Sequence, residues 1–153
     1  MSESIENQIW IGATASQVER CFTEQGLMHQ WLNPMLCCEP VGDWRVTEGS
    51  QMRFVIQLPL VVPALMPTLL STVVVRSPGL VVWEFEGFFR GRDRWECIPE
   101  DLNGKPGTRL LNRFEFSIPN PVVGWGFKTF AAAWTQQDMA AQLRRLKQVA
   151  ERL

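Results

Sequence analysis

The chain has 153 residues and a formal net charge of −1 at pH 7, with charged residues at an ordinary level. That length suffices for one domain, here expected to span residues 1–153 and to bury roughly 70% of its unfolded surface. Near-neutrality removes the electrostatic basis for binding nucleic acid. No apolar run reaches the ~20 residues of a membrane helix, and no segment has the order of a secretory signal, so the expected location is cytoplasmic.

Residues 5–11 alternate, with Ile9 and Ile11 on one face, which predicts a first strand. Thr14 and Gln17 then have capping-box spacing ahead of Val18, Cys21 and Phe22, which predicts a short helix with Gly26 as its C-cap. A second helical turn is expected over residues 27–32, carrying His29 and Trp31.

A strand run follows. Residues 35–41 form one strand before a turn at 42–45. In 51–58, Met52, Phe54 and Ile56 share a face. Residues 69–76 are rich in β-branched side chains, and Ser77-Pro78-Gly79 turns the chain. Residues 80–86 set Trp83 and Phe85 opposite Glu84 and Glu86. Residues 91–99 set Trp95 and Cys97 opposite Arg94 and Glu96. After the turn signal of 101–107, residues 108–118 place Leu110, Asn112, Phe114 and Phe116 together, with Arg109, Arg113 and Glu115 on the other face.

Asn120-Pro121 begins a last helix that is expected to run to the C-terminus. Its apolar residues form two stripes. Met139, Leu143, Leu146 and Ala150 make one, and Val123, Phe127, Phe130 and Trp134 make the other. Such a helix must lie across the sheet to bury its apolar side. The expected architecture is therefore α+β: an antiparallel sheet of six or seven strands wrapped on a long C-terminal helix, with an aromatic-lined space between them.

The candidate chemistry is sparse. Four cysteines and one histidine lack zinc-ligand spacing, so no metal or cofactor is called for, and the thiols are expected to be reduced and mostly buried. Glu84, Glu86, Arg94, Glu96, Arg109, Arg113 and Glu115 are expected to point away from the aromatic face and form a solvated ladder. Asn112 is then the main polar group expected inside. His29 has no carboxylate at helical spacing and is expected at the surface. Residues 58–70 are almost wholly apolar, yet Pro59, Pro63 and Pro67 bar a central strand. A lid, a homodimer contact, a membrane contact and a loop folded onto the core all fit that composition.

The order of parts resembles a known family. The first strand, Ala13 opening a helix with Val18 and Phe22, and then Trp31 are similar to the start of the START/Bet v-type (SRPBCC) superfamily. Trp83 and Gly87, Gly91 leading into a strand, the run Pro106-Gly-Thr-Arg-Leu-Leu-Asn112, Phe114, and the final helix with Leu143 and Leu146 look like its polyketide-cyclase-like members. The resemblance implies a helix-grip fold around a cavity that takes a lipid, polyketide or isoprenoid-like molecule. Many relatives carry His before the aromatic residue of the strand after Gly91; here that place is Arg94-Trp95. The expected function is binding of a small hydrophobic ligand by Phe54, Trp83, Phe85, Trp95, Phe114 and Phe116, with Asn112 as polar anchor. A polyketide cyclase or aromatase type of enzyme and an interaction module using residues 58–70 are the alternatives.

Overall fold

The computed structural model describes residues 2–57, 68–87, 90–117 and 137–153. Seven strands form one antiparallel sheet: β1 (Ser2–Ile11), β2 (Leu36–Pro40), β3 (Gln51–Ile56), β4 (Thr68–Ser77), β5 (Leu80–Gly87), β6 (Arg90–Pro99) and β7 (Thr108–Ser117). Their spatial order is β1-β7-β6-β5-β4-β3-β2. Only the β1–β7 pairing joins strands distant in sequence; the rest follow from hairpins or neighbours. Helices α1 (Ala15–Cys21) and α2 (Gln25–Trp31) lie between β1 and β2, and α3 covers residues 137–150.

Local chemistry explains these elements. Thr14 Oγ1 accepts from the Gln17 backbone N–H, and the Gln17 side chain accepts from Thr14 N–H, closing the expected capping box. Gly26 is not a cap: it lies inside α2, and Phe22 is the C-cap of α1. The chain turns at Asn103 (φ 51) and Gly104 (φ 78), a left-handed pair that suits Asn-Gly, between Leu102 and Lys105, which bridge each other.

The sheet sorts its two faces by alternation. On the outer face, Glu84 and Arg92 are registered neighbours and form an ion pair. Arg94 and Arg113 face each other across β6 and β7, and each turns along its own strand to a carboxylate, Glu96 at 3.2 Å and Glu115 at 2.9 Å. Such exposed pairs contribute little to stability. The inner face carries the apolar residues. There Ile11, Val81 and Leu110 are fully buried with Val18 and Cys21 of α1 and its C-cap Phe22, Met28 and Trp31 of α2, and Leu143 and Leu146 of α3. Met139, Leu143, Leu146 and Ala150 are thus all buried, as their spacing predicts, the last three within the central core. The other stripe, Val123 to Trp134, and most of the proline-broken segment lie outside the described residues. Thr68, Leu69 and Leu70, at the end of that segment, pair into β4.

Polar contacts pin α3. Asp138 accepts from Asn33 Nδ2 at 2.6 Å and Gln142 Nε2 at 3.1 Å, and Arg145 Nε donates to the Trp31 carbonyl at 2.8 Å. Lys147 Nζ donates to the Trp10 carbonyl at 2.9 Å. These bonds satisfy groups brought in at the helix surface, while burial of the apolar stripe supplies most of the docking energy.

Candidate functional site: the inner face of the sheet

The seven residues expected to line a ligand space all lie on described strands. Phe54 is on β3, Trp83 and Phe85 on β5, Trp95 on β6, and Asn112, Phe114 and Phe116 on β7. Strand pairing divides the rings into two groups. Phe54 and Phe85 stand edge to face at 5.9 Å between centroids, Phe85 and Phe114 likewise at 5.9 Å, and Phe114 stacks with Phe116 at 5.3 Å. This row crosses the sheet from β3 to β7. Trp95 belongs elsewhere: its ring lies 5.6 Å from Phe22 and 5.3 Å from Trp31, within the core that α1 and α2 close.

Between the two groups sits a carboxylate. Asp93 precedes Trp95 by two residues on β6, so its side chain shares the inner face; it pairs with Trp83 on β5 and Phe114 on β7. Its Oδ1 accepts from Asn112 Nδ2 at 2.7 Å and its Oδ2 from Trp95 Nε1 at 2.7 Å. Asn112 Nδ2 also donates to the Arg94 carbonyl at 3.2 Å. Part of Asp93 keeps some accessible surface, but protein surrounds it closely enough that burial pushes its pKa up to about 6, against the opposing pull of the Trp95 and Asn112 hydrogen bonds.

The expectation that Asn112 is the main polar group inside is therefore corrected. Asn112 is 2% exposed and one of its partners is an ionisable group, Asp93. The signal was present in the sequence. The same period of two that turns Trp95 and Cys97 inward also turns Asp93 inward.

Other polar atoms on this face lack partners. The Trp83 Nε1 and Ser71 Oγ atoms are buried without a hydrogen bond, as is Asn7 Nδ2. Asn7 pairs with Asn112 across β1 and β7. The face thus combines phenyl rings, the Asp93 carboxylate and unsatisfied donors. That set can hold an apolar skeleton, accept or release one proton, and bind a polar substituent.

The remaining candidates serve the framework. His29 Nε2 accepts from the Cys38 backbone N–H at 3.2 Å, so Nδ1 carries the proton that bonds the Gln25 carbonyl at 2.9 Å. The imidazole is exposed and ties α2 to β2. Glu19 on α1 pairs with Arg76 and accepts from Gly79 N–H at 2.6 Å, locking the helix onto the β4–β5 hairpin. All four thiols are free. Burial pushes Cys21 up to about 11 and Cys38 and Cys97 up to about 12, so these three are protonated at neutral pH and weak nucleophiles. Among the described residues no cluster of His, Cys, Asp and Glu could hold a metal ion, and no helix is long and apolar enough to cross a membrane. A cleft of about 380 Å³ lined by Val41, Asp43, Arg45, Gly49, Ser50 and Gln51 lies by the β2–β3 connection and contains none of the inner-face residues.

Comparison with known proteins agrees with this architecture. No protein of curated function matches the sequence. Among solved structures, the chain is similar to the Zhui aromatase/cyclase of Streptomyces, at 14% identity and a TM-score of 0.75, covering 99% of this chain and 95% of that one. It is also similar to a Thermus thermophilus protein at 17% identity and a TM-score of 0.73, covering 97% of each chain. A truncated norcoclaurine synthase of Thalictrum flavum follows at 14% identity and a TM-score of 0.67, covering 97% of this chain and 93% of that one. At such identities the likeness is one of fold. The sequence itself decides the family, since the profile of the group described as polyketide cyclase / dehydrase and lipid transport matches residues 2–151. With its seven-stranded sheet and C-terminal helix of the same helix-grip type, the chain belongs to that family.

Proposed function

We propose that this protein binds a small hydrophobic molecule against the inner face of its sheet, with Asp93 meeting the molecule's polar group. The observation that carries this reading is a carboxylate of raised pKa set between two aromatic clusters and held by Asn112 and Trp95. A core meant only to be packed would place an apolar side chain there, because burying a carboxylate is costly. The row Phe54–Phe85–Phe114–Phe116 would cover the apolar skeleton of the ligand. The family description, which names both lipid transport and cyclase or dehydrase chemistry, supports a ligand of this kind.

Titration of Nile red, a neutral apolar fluorophore, tests the site. Saturable binding is expected in the wild type. Phe85→Ala combined with Phe114→Ala should weaken it by about tenfold, because two phenyl rings no longer shield the dye from water. Unchanged affinity in the double variant would place the site elsewhere.

A second reading, catalysis of cyclase or dehydrase type, draws on the same pKa. A carboxyl that titrates near 6 is partly in each form close to neutral pH, which suits proton transfer in both directions. Ionised Asp93 would take a proton from a carbon flanked by a ketone. The resulting acid would return that proton to a departing hydroxyl, releasing water. Turnover that rises with pH through about 6 in the wild type and vanishes in Asp93→Asn would support this reading over simple transport.

A further inference from the structure

We propose that the indole N–H of Trp83 reads the ligand: it donates to an uncharged oxygen on the molecule occupying the inner face, so the site selects oxygenated ligands over plain hydrocarbons. The inference rests on the ligand-binding reading above and adds the chemical class of the ligand and the residue that selects it.

Trp83 is 4% exposed, and its Nε1 has no hydrogen-bond partner. The other tryptophans among the described residues have their indoles satisfied. Trp10 donates to the Glu100 carbonyl at 2.8 Å, Trp31 to Cys21 at 2.7 Å, Trp44 to Thr23 at 2.8 Å, and Trp95 to the Asp93 carboxylate at 2.7 Å. Leaving a buried donor unmade is unfavourable, and a phenyl ring would supply apolar bulk without that burden. Phe85 and Phe114 do so at neighbouring positions on the same face.

The orphan N–H also has a neighbourhood. Trp83 is registered opposite Asp93 on one side and Val73 on the other. Two residues before Val73, on the same face of β4, Ser71 is fully buried with its hydroxyl unpartnered. Trp83 thus stands beside a carboxylate that already has two donors, with the unpartnered Ser71 hydroxyl one strand further from it. An anionic oxygen on the ligand would meet the charge of Asp93, so the oxygen that fits is a ketone or ether type of acceptor on an apolar frame.

The test compares 2-acetonaphthone with 2-ethylnaphthalene, which has nearly the same shape but no oxygen. The full-length protein and its Trp83→Phe variant are titrated with each. Trp83→Phe should weaken acetonaphthone by about five- to tenfold, the range of one hydrogen bond, and ethylnaphthalene by less than about twofold. In the wild type, the Trp83 indole proton resonance should shift on adding acetonaphthone and stay in place with ethylnaphthalene; this readout holds even if the variant folds poorly. Equal effects on both probes, or an indole resonance indifferent to the ketone, would overturn the role of Trp83 while leaving ligand binding intact. If the wild type binds neither probe, the ligand-binding reading falls and this inference with it.

Discussion

Replacing Asp93 with Asn probes the centre of the inner face through the stability of the folded protein. Burial holds this carboxyl near 6 in the native state, against 3.8 for an unperturbed Asp. The native state therefore binds more protons than the unfolded chain between those values. Stability from this group is highest below the unfolded pKa, declines as pH rises toward the folded pKa, and stays low above it. A gap of about two units corresponds to roughly 3 kcal/mol. Asn cannot ionise, so the stability of Asp93→Asn relative to wild type should rise by about 2–3 kcal/mol from pH ~4 to pH ~7. The other carboxylates are common to both proteins and largely cancel. The amide also disturbs the local bonds, because Asn112 and Trp95 both donate to Asp93 and an amide offers one acceptor oxygen. That loss, about 1–3 kcal/mol, lowers the variant at every pH and leaves the slope alone. Urea unfolding of both proteins across this pH range measures the difference directly. A difference that stays flat within about 0.5 kcal/mol would refute the claim that burial raises the Asp93 pKa.

Two other substitutions separate framework from site. His29→Ala removes the bridge between Gln25 and Cys38 and should lower stability by about 1 kcal/mol. Nile red affinity should be unchanged in that variant, and a tenfold loss would mean that His29 belongs to the site. Glu19→Ala removes the carboxylate that accepts from Arg76 Nη2 and from the Gly79 N–H, with the Glu19 and Arg76 side chains only 19% and 23% exposed, and leaves Arg76 its bonds to the Val46, Ser77 and Leu80 carbonyls. It should lower stability by about 2–3 kcal/mol and speed hydrogen exchange at Gly79. Unaltered exchange there would show that the hairpin holds its form without α1.

Much of the frame was legible in the residues. Alternation assigned the strand faces, because side chains of a strand point to opposite sides in turn, and Met52, Phe54, Trp83, Phe85, Trp95, Phe114 and Phe116 lie inside as that rule requires. Thr14 and Gln17 announced the start of α1, because capping is a bond between residues three apart. The inward position of Asp93 was written in the same alternation, two residues before Trp95. What Asp93 does there was not. Its bond to Asn112, its place between Trp83 and Phe114, and its raised pKa all depend on the register of β5, β6 and β7. The same holds for the Trp83 indole without a partner and for the hold of His29 on Cys38. Local sequence determines which way a side chain points, since that follows from backbone geometry a few residues long. Which side chains then meet, and how much water is left between them, is decided by pairings between distant strands, and only the folded sheet supplies those.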